Sequence, residues 1–382
     1  MLPLVLVAAL MAGCSTVETA VNSINPFSSS TPKLKMAELA SIESSAQVRP
    51  LWQASIGSAG AQTFSPAVVG RSIYAAAADG SLARFDDGRQ VWRIAAGQPL
   101  SGGVGADAAL VVVGTPKGEV LAFDTGTGRE AWKARVSSEV LAAPAVGGGL
   151  VVVRSGDSRI AGFEAADGKR RWVYQRSTPT LSLRSNVGVV LTDRLTFAGF
   201  PGGKLVAVAN TNGAAVWEVT VAAPKGTTEL ERVTDITSAP VVVGSRVCAV
   251  AFQGRISCFD GGTGNALWSR EMSSSAGLDM DSQYVYVTTD KGAVHALDRD
   301  SGASIWKQDK LFMRGVSRPL ALGDLIVVAD IQGVVHLLRH ADGGFAARAS
   351  SDGSAVRAEP VQFGKGFLIQ TVNGGIYAME AQ

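Results

Sequence analysis

The chain has 382 residues, 46% of them hydrophobic, enough to bury a large core, and a formal net charge of only +2. With no dense Lys/Arg stripe and no finger or RNP-type motif, nucleic acid is not an expected partner. The three histidines, His295, His336 and His340, lack the Cys/His spacing or surrounding carboxylates of a metal centre, so neither a metal nor another cofactor is expected.

In chain order, Leu2 to Met11 is an apolar run too short to span a bilayer, which takes about 20 residues, and of the right length for the h-region of a secretory signal. It leads into Leu10-Met11-Ala12-Gly13-Cys14, which resembles the bacterial lipobox, with Met11 where Leu is usual. The resemblance implies a signal peptide over 1–13, lipidation of Cys14 and, with Ser15 rather than Asp following, sorting to the outer membrane. Residues 14–47 are polar and Ser-rich and read as a flexible tether, with a short helix expected over Lys33 to Ser45. The folded domain is expected over 48–382.

That domain is a repeat. Lys117 to Trp132 reads as a glycine turn, the apolar strand Val120–Phe123, a second turn over Asp124–Gly128 and a strand ending on Trp. The same frame recurs at Asp79 to Trp92, Asp157 to Trp172, Gly202 to Trp217, Gln253 to Trp268 and Lys291 to Trp306; Gln332 to Phe345 carries Phe in place of Trp. An eighth copy, from Asn373, runs off the C-terminus before its aromatic, and Trp52 stands near the N-terminus with no hairpin before it. All seven Trp (Trp52, Trp92, Trp132, Trp172, Trp217, Trp268, Trp306) thus share one repeat position, at spacings of 40, 40, 40, 45, 51 and 38. Those spacings lie near the ~40–45 residues of a four-stranded propeller blade. Four short strands per unit and two complementary half-copies predict an all-β, eight-bladed β-propeller whose N-terminal strand completes the C-terminal blade. One Trp per blade is the pattern of a circumferential core rather than of a ligand stack.

Cys248 and Cys258 flank the turn at Gln253. A three-residue loop sets them opposite each other and allows a cross-strand disulfide, whereas a two-residue turn offsets them by one and leaves two small buried thiols.

Function is expected where the repeat departs from itself. The two long Trp-to-Trp intervals place enlarged connections at about 173–187 and 220–238, side by side on one face of the ring. The first carries Leu181-Ser182-Leu183-Arg184, two leucines beside a guanidinium, which read either as a binding anchor or as a strand start with Arg184 paired internally to Asp235 or Glu231. The second carries Thr228 to Asp235. The lipobox, the tether, the repeat, and above all Leu181-x-Leu183-Arg184 with Thr228-Glu229-Leu230-Glu231-Arg232-Val233-Thr234-Asp235, resemble the propeller lipoproteins of the outer-membrane β-barrel assembly (BAM) machinery, the BamB family. Thr237 stands where that family has a second Asp.

The resemblance implies a non-catalytic scaffold that contacts the periplasmic POTRA domains of the subunit BamA through Leu181, Leu183, Arg184 and Asp235, and that aids folding of outer-membrane proteins, with unfolded chains as a further partner. Pyrroloquinoline-quinone (PQQ) dehydrogenases share the repeat but use a vicinal Cys pair and a compact acidic cluster, which this chain lacks. A generic periplasmic peptide-binding propeller is the other alternative.

Overall fold

A computed structural model describes residues 35–382; the lipobox and Cys14 lie outside the described residues. Eight four-stranded antiparallel blades follow one another along the chain, seven of them built from consecutive strands. Blades 1 to 7 cover residues 67–95, 102–135, 145–174, 189–220, 241–271, 277–308 and 320–350. Blade 8 is composite: Val361–Phe363, Gly366–Gln370 and Gly375–Ala381 are completed by Val48–Ser55, whose partner is the C-terminal strand, with Gln53 opposite Tyr377. The short strand Thr63–Phe64 adds a parallel partner to Gly102–Ala106 of blade 2.

Burial follows strand position. The second and third strands are buried runs of Val, Ile, Leu and Ala, such as Leu150–Arg154 and Ile160–Glu164, as expected for strands covered on both faces. The fourth strands alternate between exposed and partly buried residues, as in Arg89–Ala95, because they form the outer rim.

The Trp–Gly repeat has a direct physical origin. In blades 1 to 6 the third–fourth strand ladder slips register beside the Trp, leaving one extra residue just before it: Val91, Ala131, Arg171, Val216, Leu267 and Ile305. Such a bulge re-aims the side chain that follows and blunts an exposed edge. The Trp lies against the next blade, over the last glycine of that blade's third–fourth turn. A Cβ at Gly168 would stand 2.5 Å from Trp132, and equivalent clashes of 2.3–3.0 Å link Gly88 to Trp52, Gly128 to Trp92, Gly213 to Trp172, Gly264 to Trp217, Gly302 to Trp268 and Gly343 to Trp306. Gly168 also has φ +71°, so the position calls for glycine twice over.

Six of the seven indoles then donate Nε1–H to a carbonyl of that same turn, from Trp92 to Thr125 O at 3.0 Å round to Trp306 to His340 O at 2.8 Å. Trp52 is the exception, and its buried Nε1 has no partner. Blade 1 turns through Asp87 and Gly88 alone, both at positive φ, with Asp86 paired directly to Arg89. This two-residue turn is shorter than the Asp124–Gly128 type and lacks the carbonyl that the other turns supply. In the longer turns the aspartate caps the loop: Asp124 Oδ1 accepts from Thr127 N at 2.8 Å and Thr127 Oγ1 at 2.7 Å, and Asp260 with Thr263 does the same.

Cys248 and Cys258 are direct cross-strand partners in blade 5, with Cα atoms 4.1 Å apart, and are joined as a disulfide.

The helix expected over Lys33 to Ser45 is absent from the described part of that stretch. From Met36 onward the chain is an irregular strap lying on blades 6 and 7. Ala37 N–H donates to Phe312 O at 2.9 Å, Ser45 N–H donates to Ala346 O at 2.9 Å, and Leu39 and Ile42 pack on the apolar cluster around Tyr286, Leu311 and Phe345. The expected tether, which ran through residue 47, therefore overlaps the folded unit by about a dozen residues. The physical reason is that the half-buried residues Met36, Ala37, Leu39, Ile42 and Ala46 follow no regular period and form no helix face, yet suffice to hold an extended strap.

Beneath the strap lies a buried charged cluster. Arg314 donates to Asp330 at 2.6 Å and Gln332 at 2.6 Å, His336 Nε2 lies 3.1 Å from Asp330 Oδ2, and Arg348 Nε donates to His336 Nδ1 at 3.2 Å. That network makes Nδ1 the acceptor and Nε2–H the donor, the neutral form. Burial holds the His336 pKa below its ordinary 6.5, with Arg348 and Arg314 adding to the fall and Asp330 opposing it. The unfolded imidazole takes up a proton as pH drops through about 6.5 while the folded one does not. Stability is therefore expected to decline from about pH 7 downward and to level off below the folded pKa. His295, lowered first by burial and then by Lys307 and Arg270, contributes in the same direction. Denaturant titrations of His336→Gln between neutral and mildly acid pH should show a shallower decline than wild type; an identical decline would remove His336 as a source.

Candidate functional site: the loops of blades 3 to 5

The connection from blade 3 to blade 4 runs over residues 175–188 and the connection from blade 4 to blade 5 over 221–240. They rise next to each other on the face where fourth strands hand over to first strands. The apolar side chains of the first loop point outward: Leu181 is 46% exposed and Leu183 39%, so neither is tucked into the blade as a strand start. Their backbone is fixed from below. Asp235, on the second loop, is 2% exposed, and its carboxylate accepts from Leu183 N–H at 2.7 Å and Gly202 N–H at 3.0 Å. One buried aspartate thus ties both loops to the turn between the second and third strands of blade 4.

Asp235 is the residue placed differently from expectation. Its burial leaves no surface for a partner, and it holds the loop that presents Leu181 and Leu183. Below it, Arg154 donates to Gly199 O and its guanidinium carbon lies 5.0 Å from the centroid of Phe200. Burial draws the Arg154 pKa down to about 10, with the negative charge of Asp235 opposing the fall, so Arg154 remains a cation at neutral pH. A small cavity of about 40 Å³ lies among Glu139, Arg154, Ser155, Leu183, Arg184 and Asp235.

Arg184 pairs with neither Asp235 nor Glu231. Its Nε and Nη2 donate to the two carboxylate oxygens of Glu139, at 2.9 and 2.7 Å. The guanidinium fork holds the Glu139 carboxyl below its ordinary range. With the Arg184 side chain 66% exposed, the pair contributes little to stability; its effect is to fix the direction in which the guanidinium is shown to solvent. Glu139 was not singled out by sequence reasoning, since it lies 45 residues away in an ordinary inter-blade connection.

The second loop carries its own apolar side chain. Leu230 is 70% exposed, the most exposed large hydrophobic among the described residues. Glu231 Oε2 accepts from Thr227 N–H at 2.9 Å and Thr228 N–H at 3.1 Å, while Thr228 Oγ1 accepts from Glu231 N–H at 3.2 Å. This reciprocal arrangement, of capping-box type, stabilises a single helical turn that sets Leu230 outward. The Thr-x-x-Glu spacing was the sequence signal available for it. Thr237, which stands where the family pattern has a second Asp, donates to Ser275 O at 3.3 Å and carries no charge.

Inside the ring, a cavity of about 480 Å³ is bounded by the entries to the first strands of all eight blades, among them Ser65, Gly103, Pro144, Gly188, Ser238 and Arg318. It is the mouth of the axial channel. No group of three or more His, Cys, Asp or Glu side chains gathers for a metal ion among the described residues.

Fold and loops together define a class: an eight-bladed propeller of the quinoprotein-repeat type, whose irregular features are surface loops presenting apolar side chains. The comparisons narrow it. A family model described as "Outer membrane protein assembly factor BamB" matches residues 78–308. The protein of that name from Bordetella pertussis is 43% identical over 365 residues, covering 95% of this chain and 94% of the relative. The crystal structure of BamB from Moraxella catarrhalis superimposes with a TM-score of 0.81 at 27% identity, covering 87% of this chain and 100% of that one. The chain belongs to the BamB family of outer-membrane protein assembly factors. It is not an enzyme by this kinship. The quinohemoprotein alcohol dehydrogenase of Comamonas testosteroni, at TM-score 0.70 but 12% identity, covers 87% of this chain and 76% of its own and shares the fold alone.

Proposed function

We propose that this protein is the non-catalytic scaffold lipoprotein of the outer-membrane β-barrel assembly machinery. On this reading the signal peptide over 1–13 is removed and Cys14 is lipidated. The propeller is then held on the periplasmic side of the outer membrane, where it binds the POTRA domains of BamA through Leu181, Leu183 and Arg184 and aids folding and insertion of outer-membrane proteins. Kinship supports the machinery. The observation that carries the docking site is the exposure of Leu181 and Leu183 on a loop anchored from below by Asp235. Two leucines standing in water on a fixed backbone, beside a guanidinium held in one direction by Glu139, form a preorganised anchor that loses little entropy when covered.

Leu230 adds an exposed apolar side chain on the second loop, and no acidic pair faces solvent there, since Asp235 is buried and Thr237 is neutral. Affinity should then rest on apolar cover and Arg184, with modest salt dependence. In a pulldown or titration with the soluble POTRA region, Leu181→Ala combined with Arg184→Ala is expected to weaken binding by about 30-fold, the size of a central hot spot, with the melting temperature unchanged. Wild-type affinity in the double variant would reject this site.

A further inference from the structure

In every blade from 1 to 6, the rim aromatic is received by the glycine turn of the next blade. Blade 7 cannot use that device. Its successor, blade 8, joins its third and fourth strands not through a turn but across the two ends of the folded chain, Ala381 and Val48. No glycine turn exists there to receive a Trp, and blade 7 carries Ala347 at that position, opposite Leu337. Phe345, expected from the sequence to replace the Trp, stands two residues earlier, opposite Leu338, because the bulge at Ala346 falls after it.

The strap occupies the gap. Ser45 and Ala46 both donate N–H to Ala346 O, at 2.9 and 3.2 Å, and Gln47 and Gln382 exchange reciprocal backbone bonds at 2.9 Å. Ala46 and Val48 pack beside Ala346 and Ala347, small residues where the strap crosses. Further along, Arg314 and Arg348, the two cations of the buried cluster, each spend one donor on the strap, to Ala37 O at 2.9 Å and Ala40 O at 2.5 Å.

We infer that residues 36–47 act as a clasp that takes the place of the missing eighth turn and locks the seam between blades 7 and 8. The ring is thus closed twice, once by the β ladder of blade 8 and once by the strap that spans its open joint. Docking also supplies each of these arginines with a backbone acceptor, which links the seam to the charged cluster. The described strap begins beside Phe312, between blades 6 and 7, well round from the loops of blades 3 to 5.

The test uses the full chain with Leu39→Asp and Ile42→Asp, which make strap docking unfavourable without altering the ring, and a milder Leu39→Ala/Ile42→Ala pair. A Glu-specific protease reads docking directly, because Glu38 and Glu43 are exposed but held in the strap. Wild type is expected to be cut there slowly. The Asp pair should be cut roughly tenfold faster or more, as the loss of apolar docking of this size implies. Amide exchange at Gln382 should accelerate in step, while the Leu183 amide stays protected, and the melting temperature should fall by about 5 °C. Equal cleavage rates in wild type and the Asp pair, or an unchanged Gln382 amide, would overturn the clasp. If the Asp pair fails to accumulate folded, the Ala pair decides by the same two readings.

Discussion

Replacing Trp132 by alanine is expected to destabilise the ring by about 3–5 kcal/mol, measured by denaturant unfolding. The side chain is 7% exposed, packs on Phe163 of the next blade at 6.5 Å between centroids, and donates to Ala165 O at 2.7 Å. Truncation leaves a void between blades and an unpaired carbonyl in the turn. Gly168→Ala, which forces a Cβ to within 2.5 Å of the same indole at a positive φ, should be destabilising through the other half of the contact. The two lesions should be less than additive in the double variant, because the alanine methyl then enters space that the indole has vacated. Trp52→Ala supplies an internal control. Its indole packs on Gly88 but donates to nothing, so its loss should be smaller by about 0.5–1.5 kcal/mol, the worth of one hydrogen bond. Equal losses at Trp52 and Trp132 would mean that packing alone sets the repeat.

That contrast also shows why so much of the fold is legible in the sequence. Each Trp and each turn glycine answers the same steric demand at seven of the eight seams, so the demand is written out repeatedly and its period counts the blades. Phe345 reads in the sequence as the seventh aromatic of the repeat; in the structure the Trp position of blade 7 is Ala347, at the one seam with no turn to fill. The strap could not be read because its determinants are not periodic. Leu39 and Ile42 are ordinary apolar residues in a polar stretch, and the arginines that hold it, Arg314 and Arg348, lie some 300 residues away.

The candidate site is legible only in outline, for the same reason. Its position follows from the excess length of two connections. The roles within it do not, because each depends on a single long-range contact. Arg184 chooses Glu139 over the nearer-seeming Asp235, since the loop turns the guanidinium toward blade 3 while Asp235 is committed beneath it to two backbone N–H groups. A sequence motif records which residues occur together and leaves open which face the solvent.

Asp235 is where that distinction has the largest expected consequence. Asp235→Ala removes the only acceptor shown for Leu183 N–H and Gly202 N–H, and with it the negative charge facing the buried Arg154. Both donors are part-buried, so leaving each unsatisfied costs toward the low end of the about 1–3 kcal/mol of a buried group, and the variant should lose about 2–4 kcal/mol of stability. Because the loop then samples many conformations, Leu181 and Leu183 lose their preorganisation, and binding to the POTRA region should weaken at least as much as in the Leu181→Ala/Arg184→Ala variant. The decisive measurement is amide exchange at Leu183 in the free protein. If Asp235 acts by holding the loop, Leu183 exchange accelerates together with the loss of binding, and Asp235→Asn, which retains one acceptor oxygen, is intermediate in both. A loss of binding with Leu183 still fully protected would instead make Asp235 a direct contact, reached only after the loop has opened.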